Sequence, residues 1–370
     1  MNETKELETE LTSNSVLELI DGATGEIAQI SDLVELQREI IDDKSSTQEE
    51  RLEAYEDIID SEVGDTSLVR ARNIEREVGL RQIFLKFEGA NPSGTQKDRI
   101  AFGQALDALR RGFDTMTVAT CGNYGVAIAL AASLARLRCI IYIPESYHTQ
   151  RIKEMIQLNA EIRRVPGDYE HSVVVSRELA EKEEVYDANP GGANTDLQLR
   201  NYGNIAYEIY DELRDAPYMV SCPISNGTTL AGIYKGFVSL YRRGKTSRIP
   251  HMVAGSSYKK NPIVHAFIKG LDYCRDLMPG KIRETKINEP LINWHSSEGD
   301  LALDAIRKSE GWTGYASDKK MLSYARLIRE REGLNVVPAS TAGLIAMLSP
   351  NNNQPLPNDR YVVILTGRKS

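Results

Sequence analysis

From residue 82 onward, the sequence alternates between short apolar runs and longer segments with helical spacing. The apolar runs lie at 83–87, 116–119, 138–143, 162–165, 217–221 and 250–255. The helix-like segments between them lie near 98–111, 124–136, 150–159, 169–183, 196–214 and 229–242. Repeated units of this kind form βαβ folds with a mostly parallel sheet that helices cover on both faces. We therefore expect an α/β protein.

Composition narrows the class of protein further. The 370 residues suffice for two medium-sized domains, and no Pro/Ser-rich linker marks a boundary between them. The four cysteines lack CxxC spacing and the five histidines lack metal-ligand spacing, so we expect a reducing cytoplasm, no zinc and no other metal. No signal-peptide pattern begins the chain, and no apolar run approaches the roughly 20 residues of a membrane span.

Charge is distributed unevenly along the chain. Residues 1–60 hold 18 Asp and Glu against 4 Lys and Arg, while the rest is mildly basic. A mildly basic body suits small anionic molecules and is too weakly charged to indicate nucleic acid. We expect residues 1–62 to form an acidic helical extension with a linker at 42–50. It either packs on the body or on a second subunit, or binds a partner, and we favour packing.

Residues 84–99, FLKFEGANPSGTQKDR, read as a strand, a polar turn and the start of a helix. Thr95 or Ser93 suits the helix cap. Lys97 then lies in the first turn, where the helix dipole disfavours a cation by roughly 0.3–1 kcal/mol. Two interpretations of Lys97 stay open from the residues alone. It is either a surface lysine or an amine kept neutral for carbonyl chemistry.

Three other turns follow apolar strands. In TVATCGNYGV (117–126), the N–H groups of Cys121, Gly122 and Asn123 lie at a helix start and can bind an anion. In PISNGTTLAGI (223–233), residues 226–229 combine glycine and hydroxyl groups, which suits a phosphate. In YVVILTGRKS, the last strand delivers Thr366 and Gly367. Taken one by one, each is also compatible with an ordinary βα turn or strand end.

Together these segments resemble threonine synthase, a pyridoxal-phosphate (PLP) enzyme of fold type II. GANPSGTQKDR resembles the family's lysine segment, TCGNYG its asparagine loop, ISNGTT its phosphate loop, and the C-terminal LTG its Val-Leu-Thr-Gly end. Residues 63–74, 257–267 and 330–347 also resemble family segments, so the resemblance covers about 63–370. It implies two three-layer α/β/α subdomains with mostly parallel sheets and the active site in the cleft between them. The smaller subdomain would span roughly 98–210.

The resemblance also implies roles for individual residues. Lys97 would bind the aldehyde of PLP and move protons, and Asn123 would bond the 3-hydroxyl oxygen. Asn226, Gly227, Thr228 and Thr229 would grip the phosphate, and Thr366 would face the ring nitrogen. Because a neutral hydroxyl makes the cofactor a weaker electron sink than a carboxylate would, eliminations and replacements are favoured. The expected substrate contacts are Thr95, Cys121, Gly122, Tyr124 and Asn189.

By resemblance, the leading reaction is a lyase step that converts O-phosphohomoserine to threonine and phosphate, in a homodimer. Gln96, the Tyr124–Gly125 pair and Tyr-Gly-Asn at 202–204 depart from the family pattern. All three departures should border the substrate. They keep open a paralogue that performs β-replacement or β-elimination on a serine-, phosphoserine- or cysteine-like substrate. A catalytically silent PLP-binding partner protein is the remote alternative.

Overall fold

The computed structural model describes residues 32–120, 122–147, 151–349 and 356–369, and these form two compact units. The first unit contains the described parts of 32–63 and 91–194, and the second contains those of 64–90 and 195–369. The sequence places the end of the smaller subdomain near 210. In the structure the first unit ends at 194, because the next helix packs inside the second unit.

The first unit is built on a four-stranded parallel sheet. Its strands are β3 (Thr115–Ala119), β4 (Arg138–Pro144), β5 (Glu161–Val165) and β6 (Tyr186–Asp187), in the order β5-β4-β3-β6. Its helices are α1 (Asp32–Asp42), α2 (Gln48–Glu62), α4 (Lys97–Arg110), α5 (Asn123–Leu134), α6 (Ile152–Gln157) and α7 (Tyr169–Glu183). Residues 140–143 of β4 are all buried. Since successive side chains point to opposite faces, both faces of this strand are covered.

The second half of the acidic extension is an integral part of the first unit. Helix α2 starts behind a capping box in which Thr47 and Glu50 bond each other's backbone N–H. The fully buried Tyr55 stacks on Phe102 at 6.1 Å and donates to the Ala131 carbonyl at 2.9 Å. The predicted linker at 42–50 is therefore only partly right, because the helix already begins at residue 48. The part of the predicted extension at 1–31 lies outside the described residues.

The second unit is built on a six-stranded sheet. Its strands are β1 (Leu68–Arg70), β2 (Ile83–Phe87), β7 (Met219–Pro223), β8 (His251–Ser257), β9 (Trp312–Ala316) and β10 (Tyr361–Leu365), in the order β1-β2-β10-β7-β8-β9. All neighbouring strands are parallel except β1 and β2. Its helices are α3 (Arg72–Val78), α8 (Thr195–Leu213), α9 (Thr228–Arg242), α10 (Pro262–Lys269), α11 (Gly299–Lys308), α12 (Asp318–Glu332) and α13 (Ala342–Leu348).

The central strands of this sheet bring site residues to one edge. Every residue of β7 and β10 is buried, as expected for strands with neighbours on both sides and helices on both faces. Thr366 directly follows β10, and residues 224–227 directly follow β7. Because β10 and β7 are parallel neighbours, both turns leave the sheet at the carboxyl edge, where α/β proteins bind ligands.

Candidate cofactor site

Lys97 is the first residue of α4 and directly follows a tight polar turn. The Thr95 hydroxyl accepts the Lys97 N–H at 3.2 Å, and the Asp98 carboxylate reaches back to the Ser93 N–H at 2.9 Å. The N-cap residue is Gln96, without a side-chain capping bond, so the prediction that Thr95 or Ser93 caps this helix is wrong. Thr95 instead accepts the N–H of Lys97, the first helical residue.

Asp98 is a fully buried carboxyl group that follows Lys97 directly in the sequence. Burial raises its pKa from 3.8 to about 7, although hydrogen bonds from Ser93 and the charge of Arg151 act in the opposite direction. The carboxyl therefore changes charge close to neutral pH, whereas an aspartate in an unfolded chain does so near pH 4.

This pKa shift predicts a stability that depends on pH. Between about pH 4 and pH 7 the folded protein binds the Asp98 proton and the unfolded chain does not, so stability should fall as pH rises. Asp98→Asn keeps an oxygen for the Ser93 N–H and removes the ionisation. We expect urea unfolding of the apoprotein to show that the variant becomes more stable relative to wild type between pH 5 and pH 8. The difference in the free energy of unfolding should reach up to a few kcal/mol, since one pKa unit is worth about 1.4 kcal/mol.

The control for this prediction is Asp60→Asn, at an exposed position of α2 in the same unit. It should follow the wild-type pH profile. An Asp98→Asn profile parallel to wild type would show that the buried carboxyl does not titrate in this range.

Asn123 is the first residue of α5, in the loop that the sequence predicts for the cofactor. Its Oδ1 accepts a hydrogen bond of 2.6 Å from Nη1 of Arg151. Arg151 also donates to the carbonyl of Ser93, in the turn that carries Lys97. The structure thus links the two predicted cofactor residues of the first unit through Arg151.

Tyr124 is a buried side chain whose ring faces the amine of Lys97. Its ring centroid lies 5.8 Å from Nζ of Lys97, and its hydroxyl donates to the Ala188 carbonyl at 2.8 Å. Gln104, itself fully buried, donates to the same hydroxyl. Two hydrogen bonds fix the hydroxyl end of this ring next to Lys97, at a position where the resemblance to threonine synthase implies a small hydroxyl residue.

The other predicted substrate contacts do not share the environment of Tyr124. Asn189 is 1% exposed; its amide bonds the Ala119 N–H at 2.8 Å, the Ser176 hydroxyl at 3.0 Å and Asp187 at 2.6 Å. These bonds tie the ends of β3 and β6 together and favour a structural role over the predicted substrate contact. Gly122 is half-buried at the N-cap of α5. Cys121 lies outside the described residues.

The predicted phosphate loop lies at the start of α9 in the second unit. Gly227 is the N-cap residue with φ +97°, and among the described residues no side chain caps the helix or places an acid in its first turn. An uncapped helix start of this kind leaves backbone N–H groups for an anion. The hydroxyl of Thr228 donates to the buried Glu298 at 3.1 Å. The N–H of Thr228 is therefore the group that can bind an anion, because its hydroxyl already donates to Glu298.

Three asparagines hold this loop in place. Asn293 donates to the Asn226 side-chain oxygen at 3.0 Å, and Asn261 donates to Asn293 at 3.1 Å and to the Ser225 carbonyl at 2.9 Å. Because Oδ1 of Asn226 accepts this bond, the amide has its donor end, Nδ2, directed elsewhere. Asn226 belongs to the sequence motif of this loop. Asn261, which supports the loop, lies 35 residues downstream and outside that motif.

Thr366 follows β10 and is hydrogen-bonded to the buried Ser340, with 3.0 Å between the two hydroxyl oxygens. The N–H of Gly367 donates to the Ser340 oxygen at 3.1 Å. The Ser340 proton therefore has two acceptors in range, Thr366 at 3.0 Å and the Gly367 carbonyl at 3.5 Å. Either hydroxyl of the Ser340–Thr366 pair can be the donor, and when Ser340 donates to Thr366 the Thr366 proton can be donated onward.

Two of the three residues at 202–204, which the sequence predicts to border the substrate, lie in the packing between helices. Tyr202 is fully buried within α8, and burial raises the pKa of its hydroxyl. Gly203 packs directly against Gly232 and Gly236 of α9. This segment mediates helix packing, which explains why a glycine is needed there.

Comparison with known proteins decides the family. The sequence pattern of the pyridoxal-phosphate dependent enzymes matches residues 59–367. This chain belongs to that family. Among curated relatives, the threonine synthase of Methanocaldococcus jannaschii is 27% identical over 310 residues, which cover 82% of this chain and 74% of that protein. The threonine synthase of Synechocystis sp. is 28% identical over 307 residues, covering 82% and 76%.

Solved structures show the same fold. Maize serine racemase superposes with a TM-score of 0.71 at 18% identity, covering 85% of this chain and 92% of that one. The T.th. threonine deaminase superposes with a TM-score of 0.70 at 18% identity, covering 86% and 97%. The predicted α/β architecture with parallel sheets, of fold type II, is confirmed. The protein is a PLP-dependent enzyme similar to threonine synthases over most of its length.

The residues present fit PLP. A Cβ at Gly227 would lie 2.6 Å from that of Ala302, so the loop accepts only glycine at the point where backbone approaches an anion. Lys97 supplies a primary amine, Asn123 and Asn226 amides, and Thr366 a hydroxyl. Within the described ranges no His, Cys, Asp and Glu side chains group as a metal site, and no helix is long and apolar enough to cross a membrane.

Proposed function

We propose that this protein is a PLP-dependent lyase that converts O-phosphohomoserine and water to threonine and phosphate. Lys97 binds the aldehyde of PLP, Asn123 bonds the 3-oxygen, residues 226–229 bind the phosphate, and Thr366 faces the ring nitrogen. Its similarity to threonine synthases supports the substrate. When bound, PLP supplies the electron sink for charge at the substrate's α-carbon.

The proposed type of reaction rests on the neutral hydroxyl of Thr366. Thr366 is fixed by Ser340, whose oxygen in turn accepts the Gly367 N–H. A hydroxyl in this position donates a hydrogen bond and cannot hold a second proton on the ring nitrogen as a carboxylate does. That environment favours elimination and replacement over transamination.

Within this scheme Lys97 takes a proton from the substrate and returns one later. Both steps require a neutral amine within hydrogen-bond reach of the reacting carbon. The position of Lys97 in the first turn of α4 disfavours the ammonium form.

Tyr124 supports a second candidate, β-replacement or β-elimination on a serine-, phosphoserine- or cysteine-like substrate. Because Lys97 must reach the substrate's α-carbon, groups on that carbon come within a few ångströms of Nζ. The buried Tyr124 ring lies 5.8 Å from the same atom. A bulky ring in place of a small hydroxyl residue leaves less room for a side chain, which favours three-carbon substrates over four-carbon ones.

A substrate panel tests both candidates. The loaded enzyme is assayed for phosphate and threonine release from O-phosphohomoserine, and for pyruvate release from serine, O-phosphoserine and cysteine. Threonine formation is the expected result. If Tyr124 limits substrate length, Tyr124→Thr should raise kcat/KM for O-phosphohomoserine by roughly tenfold or more relative to O-phosphoserine. Pyruvate formation without threonine would replace the first candidate with the second.

We further propose a cytoplasmic homodimer. Family resemblance supports the assembly, and the free thiols of Cys139, Cys222 and Cys274 suit a reducing compartment. Light scattering should give twice the chain mass of 41.3 kDa. A mass of one chain would contradict the assembly.

A further inference from the structure

The guanidinium group of Arg151 joins two loops that lie far apart in sequence. Nη1 donates to Oδ1 of Asn123 at 2.6 Å, and Nη2 donates to the carbonyl of Ser93 at 3.2 Å. Ser93 lies four residues before Lys97. The side chain of Arg151 is 19% exposed, so these bonds are largely shielded from water. One side chain thus contacts both loops that carry cofactor residues in the first unit.

Glu154 fixes the plane of this guanidinium. Its carboxylate accepts from Nη2 of Arg151 at 2.7 Å and from Nε at 3.0 Å. Two parallel bonds of this kind are the strong, directional pairing that only arginine makes with a carboxylate. With one edge of the guanidinium held by Glu154, Nη1 has a defined direction towards Asn123.

Arg151 also determines how the Asn123 amide is oriented. Arginine has only hydrogen-bond donors, so the Asn123 atom at 2.6 Å must be the acceptor, Oδ1. The other end of the amide, Nδ2, is then a donor directed away from Arg151. If the amide were flipped, two donors would face each other at this distance.

We propose that Arg151 is a positioning residue that fixes the Asn123 amide with its NH2 group towards the cofactor's 3-oxygen. The proposal rests on the proposed function, since it needs Asn123 to contact PLP. An N–H donor at that oxygen stabilises its deprotonated form, because a hydrogen bond to the charged form favours it. Arg151 therefore acts on cofactor binding through Asn123.

The test is a double-mutant cycle on PLP binding to the apoprotein, read by equilibrium dialysis and by the absorption maximum of the loaded protein. Arg151→Gln and Asn123→Ala should each weaken PLP binding by roughly tenfold, the scale of one charge-assisted hydrogen bond. In the Asn123→Ala background, Arg151→Gln should change the affinity by less than about twofold. Equal effects of Arg151→Gln in both backgrounds would overturn the proposal.

The orientation of the amide has its own test. Asn123→Asp has the same shape and keeps an oxygen for Arg151, but it replaces the NH2 donor with an acceptor. We expect it to bind PLP at least as weakly as Asn123→Ala and to shift the absorption maximum. Asn123→Asp with wild-type affinity and an unchanged spectrum would show that Nδ2 does not face the cofactor.

Arg163→Gln is the matched control. Arg163 lies in the same unit, pairs with Glu161 at 2.7 Å and bonds the Tyr142 hydroxyl at 3.0 Å, and it has no hydrogen bond to the described residues of either loop. It should leave PLP affinity unchanged. Should Arg151→Gln fail to fold by circular dichroism, Glu154→Gln replaces it in the cycle with a smaller effect of the same sign. A wild-type protein that binds no PLP would instead overturn the proposed function itself.

Discussion

Replacing Lys97 with alanine should abolish covalent attachment of PLP and reduce turnover by roughly 10²–10⁴-fold, the usual contribution of a positioned acid-base group. The structure supports this because Lys97 begins α4 in a turn fixed by Thr95 and Asp98. Borohydride treatment of loaded wild-type protein should leave the pyridoxyl group on Lys97, identified by mass spectrometry of its peptide. The alanine variant should lose both this label and the visible absorption of the lysine-bound cofactor.

Two other lysines make this prediction specific. Lys153→Ala, at an exposed position of α6, should keep label and activity. Lys86 is buried and paired with Glu208 at 2.5 Å, so its amine is used within the second unit. Recovery of the label on Lys86 or on any lysine other than Lys97 would contradict the assignment.

The parts of the fold that the sequence predicts well are those with local signals. The six apolar runs and six helical segments from residue 82 all appear as strands and helices, with ends shifted by up to a few residues. Strand β9 has no such signal, since Trp312–Ala316 mixes small, polar and aromatic residues and is largely half-buried at the sheet edge. The start of α2 was missed although Thr47 and Glu50 have capping-box spacing.

The site divides in the same way. Lys97, Asn123, the 226–229 loop and Thr366 each directly follow a strand or begin a helix, which is a local pattern. The contacts that orient them come from a distance, as Arg151 reaches Asn123 across 28 residues and Asn293 reaches Asn226 across 67. For Asn189, the local sequence pattern and the folded structure indicate different roles. Its motif position suggested a ligand, but bonds to Ala119 and Ser176 use its amide inside the unit. Such a role can be assigned only from the contacts that the side chain makes in the folded protein.

The second large effect is expected from Gly227→Ala, in the predicted phosphate loop. The residue has φ +97°, and an added Cβ would meet the Cβ of Ala302 at 2.6 Å and the Glu298 carbonyl oxygen at 3.2 Å. Left-handed strain in a non-glycine residue costs of order 1–3 kcal/mol, and the contact with Ala302 adds to it. Relief requires the start of α9 to shift, which moves the N–H groups that we propose bind the phosphate. We expect PLP affinity to fall by roughly a hundredfold or more.

Strain and phosphate binding can be separated with a second glycine at the other end of the same helix. Gly244 has φ +66°, and an added Cβ there has no atom within 4 Å among the described residues. Gly244→Ala should therefore carry the backbone strain, with a lower unfolding midpoint in urea but unchanged PLP binding. The ratio of PLP affinity to pyridoxal affinity provides the second readout, because only PLP has the phosphate. Gly227→Ala should collapse that ratio, and Gly244→Ala should preserve it. If Gly227→Ala instead weakens both ligands equally, the loop at 226–229 is not the phosphate site, since its distortion would then act on the protein as a whole.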